Sequence, residues 1–237
     1  MEFAATAETV SSGGLAGWGS GAAKSPGGIL GPTAMTLLAI SSTPVPLNVE
    51  LGKAIARSDE ELLEFCALNP ELRIERTAEG DLIVMTPAGG LSGHRNFEIV
   101  GALREWATDD GTGVGFDSST GFVLPNGAMR APDAAWVLRS RLEPLSPETK
   151  ERFVPFAPDF LVELRSPSDR LPELQAKMEE YRQNGVRLGW LIDPEERRVH
   201  VYRPGRPVEV LEDPIEVSGD PELARFVLQL GPVWQPF

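Results

Sequence analysis

Pro158-Asp159-Phe160-Leu161-Val162-Glu163-Leu164-Arg165-Ser166-Pro167-Ser168-Asp169 reads as a buried strand with an acid at its centre. Phe160, Val162 and Leu164 fall on one face at the strand period of two. Leu161 and Glu163 fall on the other, with Asp159 and Arg165 at the ends. Both faces are partly apolar, the mark of a strand covered by helices on both sides of a parallel or mixed sheet. An ionised glutamate left unpaired in such a place is costly, so Glu163 needs a cation: an arginine, a lysine or a metal ion.

The segment that follows supplies one. Ser168 or Asp169 can cap a helix, and from Glu173 to Asn184 the residues Leu174, Met178 and Tyr181 recur at spacings of four and three. Lys177 lies on that apolar side, whereas Gln175, Glu179 and Arg182 lie around the other, so Lys177 is directed at the sheet edge carrying Glu163. The competing reading is a surface pair of Glu173 with Lys177, the lysine stem lying over apolar surface.

A second acid stands upstream in Arg130-Ala131-Pro132-Asp133-Ala134-Ala135-Trp136-Val137-Leu138, where a strand opens after a proline. Asp is a poor strand former, and alone Asp133 reads as a turn or cap residue. Beside Glu163 on a neighbouring strand, it completes a set of two carboxylates and a lysine around one point. Such a set suits a hard divalent ion, Mg2+ or Mn2+. The ion would be held by Asp133, Glu163 and the strand carbonyl of Leu164, with Lys177 orienting or helping to deprotonate water.

The order Pro132-Asp133, then Glu163-Leu164-Arg165-Ser166-Pro167-Ser168, then Lys177 with Tyr181, then Gly185-Val186-Arg187-Leu188-Gly189-Trp190-Leu191-Ile192-Asp193-Pro194, resembles the Uma2 family. This is a group of restriction-endonuclease-like proteins, abundant in cyanobacteria and other bacteria, within the PD-(D/E)XK nuclease superfamily. The resemblance spans roughly Ser58 to Pro204. It implies an α/β fold of the α+β kind, a restriction-endonuclease-like mixed sheet flanked by helices with additional hairpins, and it implies DNA as substrate. By the same resemblance Asp133 takes the place of the motif aspartate and Glu163 that of the (D/E)XK acid. The third position of that element holds Arg165 rather than lysine, so Lys177 would be a catalytic lysine that has migrated to the next helix.

Bulk properties limit the partners. With 237 residues and 41% apolar composition the chain can bury one substantial core. Its net charge of −13 opposes tight nonspecific DNA binding, so contacts would fall to local clusters such as Arg139 with Arg141, or Arg197, Arg198, Arg203 and Arg206. A symmetric oligomer, a dimer for example, would gather such charge. The single Cys66 excludes an intramolecular disulfide and reads as a core residue, which suits a reducing cytoplasm. No run is long and apolar enough for a membrane span, and Ile29 to Ile40 lacks the basic flank of a secretory signal.

Residues 1–48, rich in Gly, Ala, Ser, Thr and Pro, are expected to be disordered, with Met35 a candidate initiator, and 49–237 to form the nuclease-like domain. Within it the pattern predicts a helix from Ser58, a Glu71–Arg76/Asp81–Met85 hairpin and a helix from Leu91 to Thr108. Strands are predicted near Val114–Ser118, Gly121–Leu124, Leu188–Ile192 and Val199–Tyr202, with a closing pair of Val208–Leu211 with Phe226–Leu230. His94 and Glu98 on the Leu91 helix are within range of the metal site, though a helix-surface pair is the plainer reading. His200 reads as a cross-strand partner, and Trp136 and Trp190 as core. Two other functions stay open: a noncatalytic interaction domain with Glu163 in a structural salt bridge, and a hydrolase using the two acids as acid and base. The lysine disfavours the second, because it favours ionising both.

Overall fold

A computed structural model of the protein describes residues 58–70 and 72–237, so the expectations for 1–48 and for Met35 lie outside the described residues. The first helix, α1 (Asp59–Leu68), starts where the Ser58 side chain accepts the Glu61 amide at 3.2 Å and carries three acids in its first turn, both favourable at a helix N-terminus. Strands β1 (Arg73–Arg76) and β2 (Leu82–Met85) form the expected hairpin, turned at Gly80 with φ +94°, where glycine meets no steric cost. The long α2 (Gly90–Asp110) extends beyond its sequence bounds at both ends. It stops at Gly111, whose φ of +69° lets its amide close on the Ala107 carbonyl.

After α2 come β3 (Gly113–Asp117), β4 (Phe122–Val123), β5 (Met129–Arg130) and β6 (Ala134–Leu138), then the short helices α3 (Arg139–Leu142) and α4 (Pro147–Lys150). The decisive strand is β7 (Phe160–Leu164), every residue of which is buried. It leads through α5 (Leu171–Gln183) into β8 (Leu188–Asp193) and β9 (Arg198–Tyr202). The chain ends with β10 (Glu209–Glu212), β11 (Glu216–Ser218), β12 (Val227–Gln229) and α6 (Gly231–Trp234).

Among the described residues the main sheet has six strands in the order β10-β9-β8-β7-β6-β3. Only β7 and β8 run parallel, joined by the α5 crossover; the other neighbours are antiparallel. The two faces predicted for β7 are both used. Phe160, Val162 and Leu164 pack with Ile99 and Leu103 of α2 and with Phe226 and Val233 near the C-terminus. Leu161 packs on the other face with Met178 and Tyr181 of α5. The helix comes so close that a Cβ on Gly189 would lie 2.7 Å from the Met178 side chain. Trp136 and Trp190 are core residues, as expected, while Cys66 is only half-buried, packed against a small cluster of Leu62, Ile74, Leu82 and Met129.

That small cluster belongs to a second, four-stranded sheet, β2-β1-β5-β4, which the sequence did not separate from the first. Two other expectations need correction. The closing pair does not form: β10 adds to the edge of the main sheet beside β9, and β12 pairs with β11. Three-residue strands such as β11 carry too little periodicity to be seen. Neither Ser168 nor Asp169 caps α5. The Asp169 carboxylate instead accepts the Ser166 amide at 2.7 Å, which closes the loop after β7, and the helix begins two residues later with Pro172 in its first turn.

Candidate active site

The antiparallel register of β6 and β7 pairs Ala134 with Val162, so the next pair outward is Asp133 with Glu163. Asp133 stands one residue before β6 rather than inside it, in keeping with the poor strand propensity of Asp. Glu163 faces α5, and Asp133 stands level with it at the start of β6, where α2 also reaches it. Asp133 is fixed at both oxygens: Oδ2 accepts the Leu164 amide at 2.8 Å and Oδ1 accepts Asn96 Nδ2 of α2 at 3.0 Å. Leu164 thus meets Asp133 through its backbone N–H.

Lys177 is directed inward, and its side chain is only 14% exposed. Its Nζ lies 2.8 Å from Glu163 Oε1 and 2.8 Å from Glu75 Oε1 of β1. The surface alternative is excluded, since Glu173 pairs with Arg170 instead. Tyr181, one turn further along α5, donates its hydroxyl to Glu163 Oε1 at 2.9 Å. Glu75 is held more fully still. It accepts the Ala131 amide at 2.9 Å and faces Arg130 at 3.2 Å, while Arg130 reaches Glu180 of α5 at 2.7 Å.

These contacts decide the protonation states. Two carboxylates share one ammonium, and Glu75 wins. Burial works to raise its pKa, but Lys177 and Arg130 overcome burial and hold it below the ordinary value. Glu163 has only Lys177 and Tyr181, so burial pushes it up to about 7, with the facing Asp133 and Glu75 charges adding to the rise. Burial also raises Asp133, against the opposing pull of the Leu164 amide and Lys177. Lys177 is raised as well, for the opposite reason. Burial alone would lower it, but the Glu163 and Glu75 charges hold it above its ordinary value. The two carboxylates thus favour the protonated ammonium of Lys177.

A raised Glu163 makes folding pH-dependent. Its folded pKa of about 7 lies above the ordinary 4.5, so the folded state binds the extra proton, and this stabilisation is complete below about 4.5 and lost as pH rises through 7. In chelator, the melting temperature should fall between pH 5.5 and 8, and Glu163→Gln should flatten the profile. A wild-type profile that is already flat, or the same slope in the variant, would exclude the buried acid as the cause.

The remaining candidates lie elsewhere. His94 pairs with Glu98 at 3.8 Å on the surface of α2 and lies tilted against the Phe237 ring, and it is Asn96, on the same helix, that reaches Asp133. Arg165 turns to the end of β8, where it meets Asp193 at 2.8 Å and Glu195 at 3.2 Å, and Lys177 occupies the place beside the acid. His200 is buried in β9 with Nε2 unpartnered. Four arginines of the basic runs make ion pairs within the chain: Arg141 with Asp159, Arg197 with Asp213, Arg198 with Glu212 and Arg203 with Glu222.

Sequence reasoning missed Glu75, Arg130, Tyr181 and Asn96 as site residues. Glu75 alternates with Ile74 in a short hairpin and reads as its solvent face. Only the docking of that hairpin on α5 buries it. The available signal was one of balance: two buried cations, Lys177 and Arg130, need more acids than a pair that already faces each other.

Among the described residues no three His, Cys, Asp or Glu side chains are arranged to hold a metal ion. The donor set fits Mg2+ or Mn2+ all the same, because such ions are commonly bound by one or two carboxylates, with water and substrate phosphate completing the shell. Four carboxylates, Asp133, Glu163, Glu75 and Glu180, stand against two cations in direct contact, Lys177 and Arg130. The excess negative charge gathers around Asp133 and the shared Glu163, where a divalent cation would balance it.

The Uma2 family model, described as "Putative restriction endonuclease", matches residues 59–231. A crystal structure from Anabaena variabilis, described as "a putative nuclease belonging to DUF820", superposes with a TM-score of 0.58 at 22% identity, covering 68% of this chain and 89% of that one. At that identity the likeness establishes the fold, a restriction-endonuclease-like mixed sheet flanked by helices. No curated protein matches the chain.

Proposed function

The chain belongs to the Uma2 family, and we propose that it is a metal-dependent endonuclease that hydrolyses phosphodiester bonds in DNA at Asp133 and Glu163. Family membership supports a nuclease function. What supports the finer reading is the register of β6 and β7, which continues outward to Asp133 beside Glu163, together with the Lys177 ammonium 2.8 Å from Glu163. A bound Mg2+ or Mn2+ would supply Lewis acidity toward the scissile phosphate and the charge that the two acids require. Asp133 and Glu163, with the Leu164 carbonyl, are the residues that would hold it.

The other residues hold charge and position. Lys177, kept protonated by its two partners, favours the ionised form of Glu163 and presents positive charge where the pentavalent phosphate gathers negative charge. Tyr181 fixes the Glu163 carboxylate from below, and Asn96 fixes Asp133 from α2. The same lone cysteine and the absence of any described helix long and apolar enough to cross a membrane support a cytoplasmic setting for this activity.

Lys177→Ala is expected to lower cleavage at least about tenfold, close to 1.4 kcal/mol of transition-state stabilisation, with metal binding retained. The assay follows plasmid and branched DNA with Mg2+, with Mn2+ and with chelator. Wild-type cleavage that persists in chelator would sink the metal-nuclease reading. The internal pairing of Arg141, Arg197, Arg198 and Arg203 favours one other reading, a noncatalytic interaction domain on a nuclease fold. That reading requires no cleavage under any condition and no divalent-ion binding by calorimetry.

A further inference from the structure

The main sheet ends at β3, whose outer backbone groups have no strand partner among the described residues. Edge strands are commonly blunted by lysine, proline, a bulge or a covering element. The sequence of β3, Gly113-Val114-Gly115-Phe116-Asp117, has none of the first two, and Gly115 and Asp117 are exposed. A cleft of about 630 Å³ lies along this edge between β3 and α2, floored by Val100, Leu103 and Ala107. It is open because Gly115 lacks a side chain: a Cβ there would meet only the Ala135 carbonyl, at 4.0 Å.

One turn before Val100, α2 exposes Phe97 to 72%, an aromatic ring with no burial of its own. Charge is also arranged in two halves. Asp117 closes one end of β3, and the Arg139 guanidinium lies 3.5 Å from the Gly113 carbonyl at the other, with Arg104 on the cleft wall.

We propose that this edge is a homodimer interface in which β3 pairs antiparallel with β3 of a second copy about a two-fold axis near Gly115. The occupant is another copy because every feature finds its complement on the same surface. Pairing about Gly115 sets the partner subunit's Asp117 opposite Gly113, beside Arg139. It also lays the two α2 helices antiparallel across the axis, which brings each exposed Phe97 toward the apolar cleft of the other copy. Gly115 permits the close backbone approach, while Gly113 makes room for Trp136 of its own chain, whose ring a Cβ there would strike. The association joins the two main sheets into one, exchanging two contacts that each edge makes alone, Arg139 on the Gly113 carbonyl at 3.5 Å and the Thr120 amide on the Asp117 carbonyl at 3.2 Å, for a ladder. It stands independently of the nuclease reading.

The test is sedimentation of the full chain at micromolar concentration. The wild type should sediment at twice its 25.7 kDa mass. Phe97→Asp and Asp117→Arg should each weaken association at least about tenfold, and Asp117→Arg combined with Arg139→Asp should restore it. Phe97 is exposed, so its variant should stay folded with the wild-type circular dichroism and a cooperative melt that no longer depends on protein concentration, which separates loss of contact from loss of fold. Amide exchange should show the outward amides of Gly113, Gly115 and Asp117 protected in the wild type and exposed in Phe97→Asp, while those of Val114 and Phe116, which face β6, stay protected in both. A wild type that is monomeric up to roughly 100 µM, a Phe97→Asp variant that dimerises unchanged, or a dimer whose outward β3 amides, those of Gly113, Gly115 and Asp117, exchange freely would each overturn the proposal.

Discussion

Glu75→Ala is expected to cost about 3–5 kcal/mol of folding stability, because it removes one partner from a buried ionic cluster and leaves the other charges in place. Glu75 is 2% exposed and takes Lys177, Arg130 and the Ala131 amide at once. Its loss leaves the amide without an acceptor and gives Lys177 only the half-titrated Glu163, and it also releases the β1–β2 hairpin from α5. The Glu75→Gln variant retains an acceptor for the amide and should lose markedly less. It should also lower the Glu163 pKa, since one of the charges that raises it has gone and Lys177 is no longer shared. Urea unfolding at pH 7 measures the first effect, and the pH dependence of melting measures the second. A loss below about 1 kcal/mol for Glu75→Ala would mean that the cluster tolerates an unpaired cation, against the usual cost of burying one.

The same residue marks where the sequence stopped being legible. Strand β7 could be read because its two-sided apolar pattern has one physical solution, a central strand between helices. Glu163 stood out as the charge that this solution could not leave alone. Lys177 followed from helical spacing, since Leu174, Met178 and Tyr181 fix which side of α5 faces the sheet. Asp133 came from its place after Pro132 and from the expected strand neighbourhood. These are local patterns or pairings of adjacent elements. Glu75 is 102 residues from Lys177 along the chain. Its burial depends on how a second sheet docks on α5, which no local period reports. Asn96 was missed for a related reason: Glu98 drew attention as an acid, but the phase of α2 turns Glu98 to the surface and the amide to Asp133.

Asp133→Asn and Glu163→Gln should each lower DNA cleavage at least about a thousandfold, near 4 kcal/mol of transition-state stabilisation, while leaving the protein folded. The asymmetry between function and stability comes from the charges. Glu163 is already raised to about 7 by burial and by its acidic neighbours, so the neutral Glu163→Gln side chain relieves repulsion that the folded state otherwise bears. Stability without metal should stay level or rise. Asp133→Asn has a different reason to fold. Its amide oxygen can keep the Leu164 N–H, and its amide nitrogen can donate to Asn96 Oδ1, a buried acceptor that has no partner in the native site. Both variants should bind Mg2+ more weakly by calorimetry. Loss of cleavage with unchanged metal affinity would place the ion elsewhere, and loss of cleavage with loss of fold would reduce the acids to structural salt-bridge partners.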